Sequence, residues 1–110
     1  MPTDMLAPIA LFVYNRPQHT AALLRSLLRD PLAAHSELYV FADGPKASAG
    51  EADLSKISET RALFDHLKGF KNVVLRTNET NQGLAASVIA GVTEIVNLHG
   101  RVIVLEDDLI

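Results

Sequence analysis

Pro8-Ile-Ala-Leu-Phe-Val-Tyr14 followed by Asn15-Arg16-Pro17 decides the fold. The run is strand length, carries no charge and is apolar almost throughout, as a strand covered on both faces must be. A helix signal follows directly. Pro17 suits a first helical turn, and Leu23, Leu24, Leu27 and Leu28 recur at helical spacing across Pro17–Arg29. The same pairing repeats outward from there. Glu37–Ala42, Asn72–Thr77 and Arg101–Leu105 read as further strands, and the last is, like the first, nearly all apolar. Asp53–Lys68 places Leu54, Ile57, Phe64 and Leu67 on one helical side, with Gly69 as its stop. Leu84–Leu98 has a wide apolar face and ends near Gly100.

Strand and helix alternate three times before a final strand, an order that implies a parallel sheet with right-handed crossovers. The expected class is therefore α/β: a Rossmann-like, three-layer α/β/α domain with a four-stranded parallel sheet in the order 3-2-1-4. One domain over residues 1–110 accounts for the whole sequence, and Gly44–Asp53 reads as a mobile loop. The chain stops two residues past an acidic triplet, as if cut rather than finished.

Composition narrows the function classes. A net charge of −3 with no Lys/Arg cluster argues against a nucleic-acid backbone as partner. Without cysteine there is no thiolate metal site, disulfide or thiol nucleophile. No stretch reaches membrane-spanning length and the N-terminus lacks a basic flank, which makes the cytoplasm the expected compartment. A phosphate-binding Gly-x-x-x-x-Gly-Lys-Ser/Thr loop, a Gly-x-Gly-x-x-Gly turn and a Gly-x-Ser-x-Gly elbow are all missing.

Ligands of open parallel sheets bind beyond the carboxyl ends of the strands. Those ends carry Tyr14-Asn15-Arg16, Asp43-Gly44-Pro45-Lys46, Asn78 to Gly83, and Glu106-Asp107-Asp108. Three adjacent carboxylates resist ionising together unless a divalent cation such as Mg²⁺ or Mn²⁺ sits among them. Strand alternation sets Glu106 and Asp108 on one side and Asp107 on the other, so Asp108 is the expected metal ligand and Glu106 its companion. A solvated acidic turn is the alternative. Asp43 suits the imide N–H of a uracil or a ribose hydroxyl, and equally the Asp-Gly pair of a plain turn. Asn81-Gln82-Gly83 opens a helix and offers free N–H groups to an anion, or Asn81 is simply the N-cap. Arg16 and Arg76 are phosphate candidates with ordinary surface roles as the alternative. His19, His35, His66 and His99 fall at no metal-ligand spacing.

Taken together these segments resemble the GT-A glycosyltransferases, specifically the inverting family 2 and the N-acetylglucosaminyltransferase I group. Phe12-Val-Tyr-Asn-Arg-Pro looks like the family's opening Tyr-Asn-Arg, and Asp43 matches its base-contacting acidic residue. Asn81-Gln-Gly-Leu-Ala-Ala resembles the stretch whose helix supports the donor. Val102-Ile-Val-Leu-Glu-Asp-Asp-Leu is similar to the Glu-Asp-Asp form of the DxD motif, whose last Asp holds the metal. The resemblance implies a donor-binding half with a nucleoside diphosphate sugar, most simply a UDP-sugar, held by Tyr14, Asn15, Arg16, Asp43, Arg76, Asn81, Gly83, Glu106 and Asp107, with Mn²⁺ or Mg²⁺ on Asp108. It also implies sugar transfer with inversion to an acceptor hydroxyl, by a base lying beyond Ile110. Two departures stand out: Val88-Ile89 replaces a common Arg-Asn pair, and the triplet begins with Glu. The rival class is a non-catalytic nucleotide-binding or assembly module that pairs with another copy through an exposed sheet edge.

Overall fold

A computed structural model describes residues 6–106. Its strands are β1 (Ile9–Val13), β2 (Glu37–Ala42), β3 (Asn72–Thr77) and β4 (Ile103–Glu106), and its helices α1 (Pro17–Leu28), α2 (Glu51–Ala62) and α3 (Leu84–His99). A 3₁₀ turn at Pro31–His35 leads into β2, opened by Asp30, whose carboxylate accepts the Leu32 N–H at 2.9 Å. All strand pairs are parallel and the order is β3-β2-β1-β4, as the alternation of elements implied. Every strand therefore ends on the same rim.

The pleat sorts the sheet into two faces. On one, Ile9, Leu11, Val13, Leu38, Val40 and Ala42 form the main core with Leu24 of α1 and Phe64, while Leu23, Leu27 and Leu63 pack beside them. On the other, Phe12 and Phe41 stack with ring centroids 5.0 Å apart. Gly91 of α3 rests on both rings: a Cβ there would lie 2.9 Å from Phe12 and 3.1 Å from Phe41, so only glycine lets the helix come this near. Ile95, fully buried, completes the layer. At the opposite end of α3, the His99 ring nitrogen meets the Tyr39 hydroxyl at 2.9 Å and Glu37 at 3.4 Å, giving this histidine a structural place. Gly100 closes α3 in the left-handed region, at the expected stop.

Three elements depart from expectation. The second helix starts earlier than Asp53 and ends at Ala62, well before Gly69. Beyond it the bonds switch to the i−3 carbonyl: Leu63 N–H to Thr60, Phe64 to Arg61 and Asp65 to Ala62. This tighter winding accompanies the insertion of Phe64, 5 % exposed, into the core, and the chain then turns at His66 with φ +60°. Leu54, expected on the buried side, is exposed above the edge strand β3. The loop read at Gly44–Asp53 is shorter than expected: residues 44–50 are irregular, with a turn closed by Ala49 N–H on Lys46, and Glu51–Asp53 already belong to α2.

The third departure is β4. All five residues of β1 are buried, but Ile103 and Val104 are 48 % and 38 % exposed. Apolar continuity marks burial on both faces for the central strand. In β4 it accompanies an edge position: Leu105 packs against the core, while Ile103 and Val104 stay exposed. On α3, Ile89 and Val96 are exposed as well.

Candidate functional site

The rim of strand ends opens into a cleft of about 340 Å³ lined by Phe12, Val13, Tyr14, Asn15, Arg16, Phe41, Asp43, Lys46, Asn81, Gly83, Leu84 and Ser87. Its makeup follows from the sheet. Phe12 and Phe41 occupy the last rows of the central strands on the α3 side and give the cleft an apolar floor. The segments that leave those strands supply the polar walls.

One wall is organised by Asp43, the first residue past β2. Its Oδ1 accepts N–H groups from Gly44 (2.8 Å), Gln82 (2.9 Å) and the Asn78 side chain (3.2 Å). Its Oδ2 accepts the Gly83 N–H (3.0 Å) and the Asn81 side chain (3.1 Å). Five donors thus converge on a carboxylate with about four lone-pair sites. Burial pushes this carboxyl up, but the N–H groups of Gln82, Asn78, Gly44 and Gly83 outweigh it and hold it below the ordinary value of 3.8. Asp43 is therefore ionised at neutral pH and fastens the 78–83 segment to the end of β2. A ligand N–H reaching this carboxylate has to displace a donor already in place.

Gly44 shows how close the two segments lie. A Cβ at this position would sit 2.5 Å from the Thr80 backbone, so no larger residue fits without moving it. Asn81 adds a second bond, from its amide to the Gly44 carbonyl at 3.0 Å. The Asn81 side chain is thus engaged with Asp43 and Gly44, and Gly83 occupies the N-cap position of α3. Beneath the junction the Arg61 guanidinium donates from one nitrogen to the carbonyls of Asp43 (3.0 Å) and Asn78 (2.9 Å).

The facing wall comes from the end of β1. The Tyr14 hydroxyl accepts the Lys46 N–H at 3.1 Å, which draws the segment after β2 across to β1. The Asn15 amide donates to Asp53 of α2 at 3.3 Å. Arg16 is exposed, and both it and Lys46 are lining residues, so the cleft has two basic residues in its walls.

Tyr14, Asn15, Arg16, Asp43, Asn81 and Gly83 are brought together as the sequence suggested. Arg76 is not. Its guanidinium pairs with Glu94 of α3, and it does not line the cleft. Register explains the pairing: Arg76, Phe41, Phe12 and Glu106 form one row across the sheet on the α3 side, which aims Arg76 at that helix. Glu106 shares this row and lies beside Phe12, but it is not a lining residue. Asp107 and Asp108, the expected diphosphate and metal residues, lie outside the described residues. Among the described residues no cluster of three His, Asp or Glu side chains could hold a metal ion.

The sequence reading missed three participants. Phe41 and Ser87 read as core and helix residues. Arg61 lies in the last turn of α2 with nothing in its neighbours to mark it, and only the crossing of α2 behind two strand ends reveals its role. No described helix is long and apolar enough to cross a membrane. No family model, curated protein or solved structure matches the chain.

Proposed function

We propose that the cleft binds the nucleoside diphosphate part of a nucleotide sugar, UDP-sugar being the simplest candidate, as the donor-binding part of a GT-A-type glycosyltransferase. The observation that carries this reading is the composition of one concave site at the carboxyl rim: an aromatic floor, amide groups on one wall and two cations at the other. Open parallel sheets bind nucleotides at this rim. The volume, about 340 Å³, falls in the range of small-molecule sites.

In this reading a base lies over Phe12 and Phe41, where ring faces favour a planar heterocycle. Arg16 presents its guanidinium to the phosphates, with Lys46 as a second cation. Asp43 orders the wall that carries Asn81 and Gly83. Glu106 ends β4 beside Phe12, and the chain continues from it into Asp107 and Asp108, which the reading assigns to the diphosphate side and to a divalent cation. Mn²⁺ or Mg²⁺ bound there would neutralise charge on the diphosphate leaving group. The reaction of the parent enzyme would be sugar transfer to an acceptor hydroxyl with inversion; the described residues contribute donor binding.

The test is calorimetric titration with UDP, GDP, ADP and CDP, each with and without Mn²⁺. Saturable, Mn²⁺-dependent heat with one of these supports the reading. Absence of heat with all of them removes it. Heat that is indifferent to Mn²⁺ favours the non-catalytic nucleotide-binding module.

A further inference from the structure

Asp43 O and Asn78 O belong to the first residues past β2 and β3. The ladder continues one step beyond the strands, with Asn78 N–H donating to the Ala42 carbonyl at 3.0 Å, and then the two chains part. Parallel strands that separate leave their next carbonyls without ladder partners. Here both point at one nitrogen of Arg61, at 3.0 and 2.9 Å. The guanidinium takes the place of the missing ladder step. It reaches this point from α2, which packs on the opposite side of the sheet from α3, so the junction is gripped from two directions: Arg61 holds the backbone and Asp43 holds the 78–83 segment.

We propose that Arg61 is a positioning residue for the ligand cleft, acting through the paired ends of β2 and β3. Arg61 does not itself line the cleft, and it meets the lining through the Asp43 carbonyl. Its effect passes through Asp43 and Asn78 to Gln82 and Gly83, whose N–H groups can reach the carboxylate only while the two strand ends keep their spacing. A cation bridging two carbonyls is also the reason a neutral residue of similar length does not serve: methionine reproduces the stem but offers no donor. Lysine restores charge and donors from a different geometry and should restore part of the effect.

The identity of the ligand, though not the loop geometry, rests on the nucleotide reading above, and the two are separable by experiment. Amide hydrogen exchange would be measured on the wild type, Arg61→Met and Arg61→Lys, alongside titration of each with UDP and Mn²⁺. The expected result for Arg61→Met is a fall of about tenfold in protection at the Gln82 and Gly83 amides, with Leu11 and Val40 keeping theirs. UDP affinity should fall by a similar factor, and Arg61→Lys should recover part of both. If Arg61→Met does not fold, Arg61→Lys is judged alone, and a selective loss at Gln82 and Gly83 is again the supporting result. Unchanged protection at those amides, or an equal loss at Leu11 and Val40, overturns the proposal. Wild-type protein that takes up none of UDP, GDP, ADP and CDP removes the nucleotide reading, and the exchange data then decide Arg61's positioning role by themselves.

Discussion

Replacing Asp43 by asparagine tests the junction most sharply because it changes two atoms' chemistry and almost no volume. In the native chain five N–H groups point at the carboxylate, three on Oδ1 and two on Oδ2. The substituted side chain keeps one acceptor oxygen and puts an NH₂ where the other was. If that NH₂ replaces Oδ2, the Gly83 N–H and the Asn81 amide face a donor; if it replaces Oδ1, three donors do. Leaving a fully buried donor unsatisfied costs about 1–3 kcal/mol; these donors are part-buried, so losing two amounts to roughly 2–4 kcal/mol. That is a large part of the roughly 5–15 kcal/mol expected of a domain this size. The assay is urea unfolding at neutral pH with thermal melts in parallel, where a melting temperature lower by on the order of 10–20 °C is expected. Acid titration adds a second reading. The folded pKa of Asp43 is depressed, so its contribution is fully present above the unfolded value near 3.8 and is lost as pH falls through the lower, folded one. Asp43→Asn should therefore lose stability at neutral pH and show a shallower decline below about pH 4 than wild type. Neutral-pH stability within about 0.5 kcal/mol of wild type would mean that these five bonds do not hold the junction.

Three further outcomes follow from named contacts. Gly44→Ala drives a Cβ into the Thr80 backbone and should cost about 1–3 kcal/mol in urea unfolding, against the usual gain from removing a glycine. Arg76→Ala removes a half-exposed ion pair with Glu94 and should change stability by less than about 1 kcal/mol, and nucleotide affinity should stay level in calorimetry because this guanidinium does not line the cleft. The exposed apolar residues of the β4 edge, Ile103 and Val104, should promote self-association at high concentration, and Ile103→Lys should shift sedimentation profiles toward monomer without altering the melt.

The layout of this fold was legible because the elements differ in period. Short apolar runs such as Ile9–Val13 and Leu38–Ala42 cannot be amphipathic helices of useful length, and the leucines of Pro17–Leu28 cannot alternate as a strand. What periodicity does not encode is position within the sheet. Ile103 and Val104 read like Leu11 and Phe12, yet one pair lies at an edge and the other at the centre. The end of α2 was hidden for a related reason: the i−3 bonds from Leu63 to Asp65 accompany core insertion of Phe64, a tertiary event that leaves no punctuation in the sequence.

The cleft was legible where strand ends carry polar residues in one direction, since parallel topology carries Tyr14, Asn15, Arg16, Asp43, Asn81 and Gly83 to one rim. It was illegible where a side chain's direction depends on register. Arg76 is one residue short of the end of β3, but the row it occupies turns it to Glu94. The Asp43-Gly44 pair looked like an ordinary turn or a ligand contact. It turns out to be the point where two segments are bound together, with glycine required by the backbone of Thr80.

Whether this rim is a nucleotide site is decided by mapping backbone amide shifts in ¹H–¹⁵N spectra as UDP is added in the presence of Mg²⁺, which leaves the resonances visible. Saturable shifts are predicted at Tyr14, Asn15, Arg16, Lys46 and Gly83, with the amides of Arg76 and Tyr39 nearly still. Shifts centred elsewhere on the molecule, or none at saturating levels of UDP, GDP, ADP and CDP alike, would contradict the nucleotide reading.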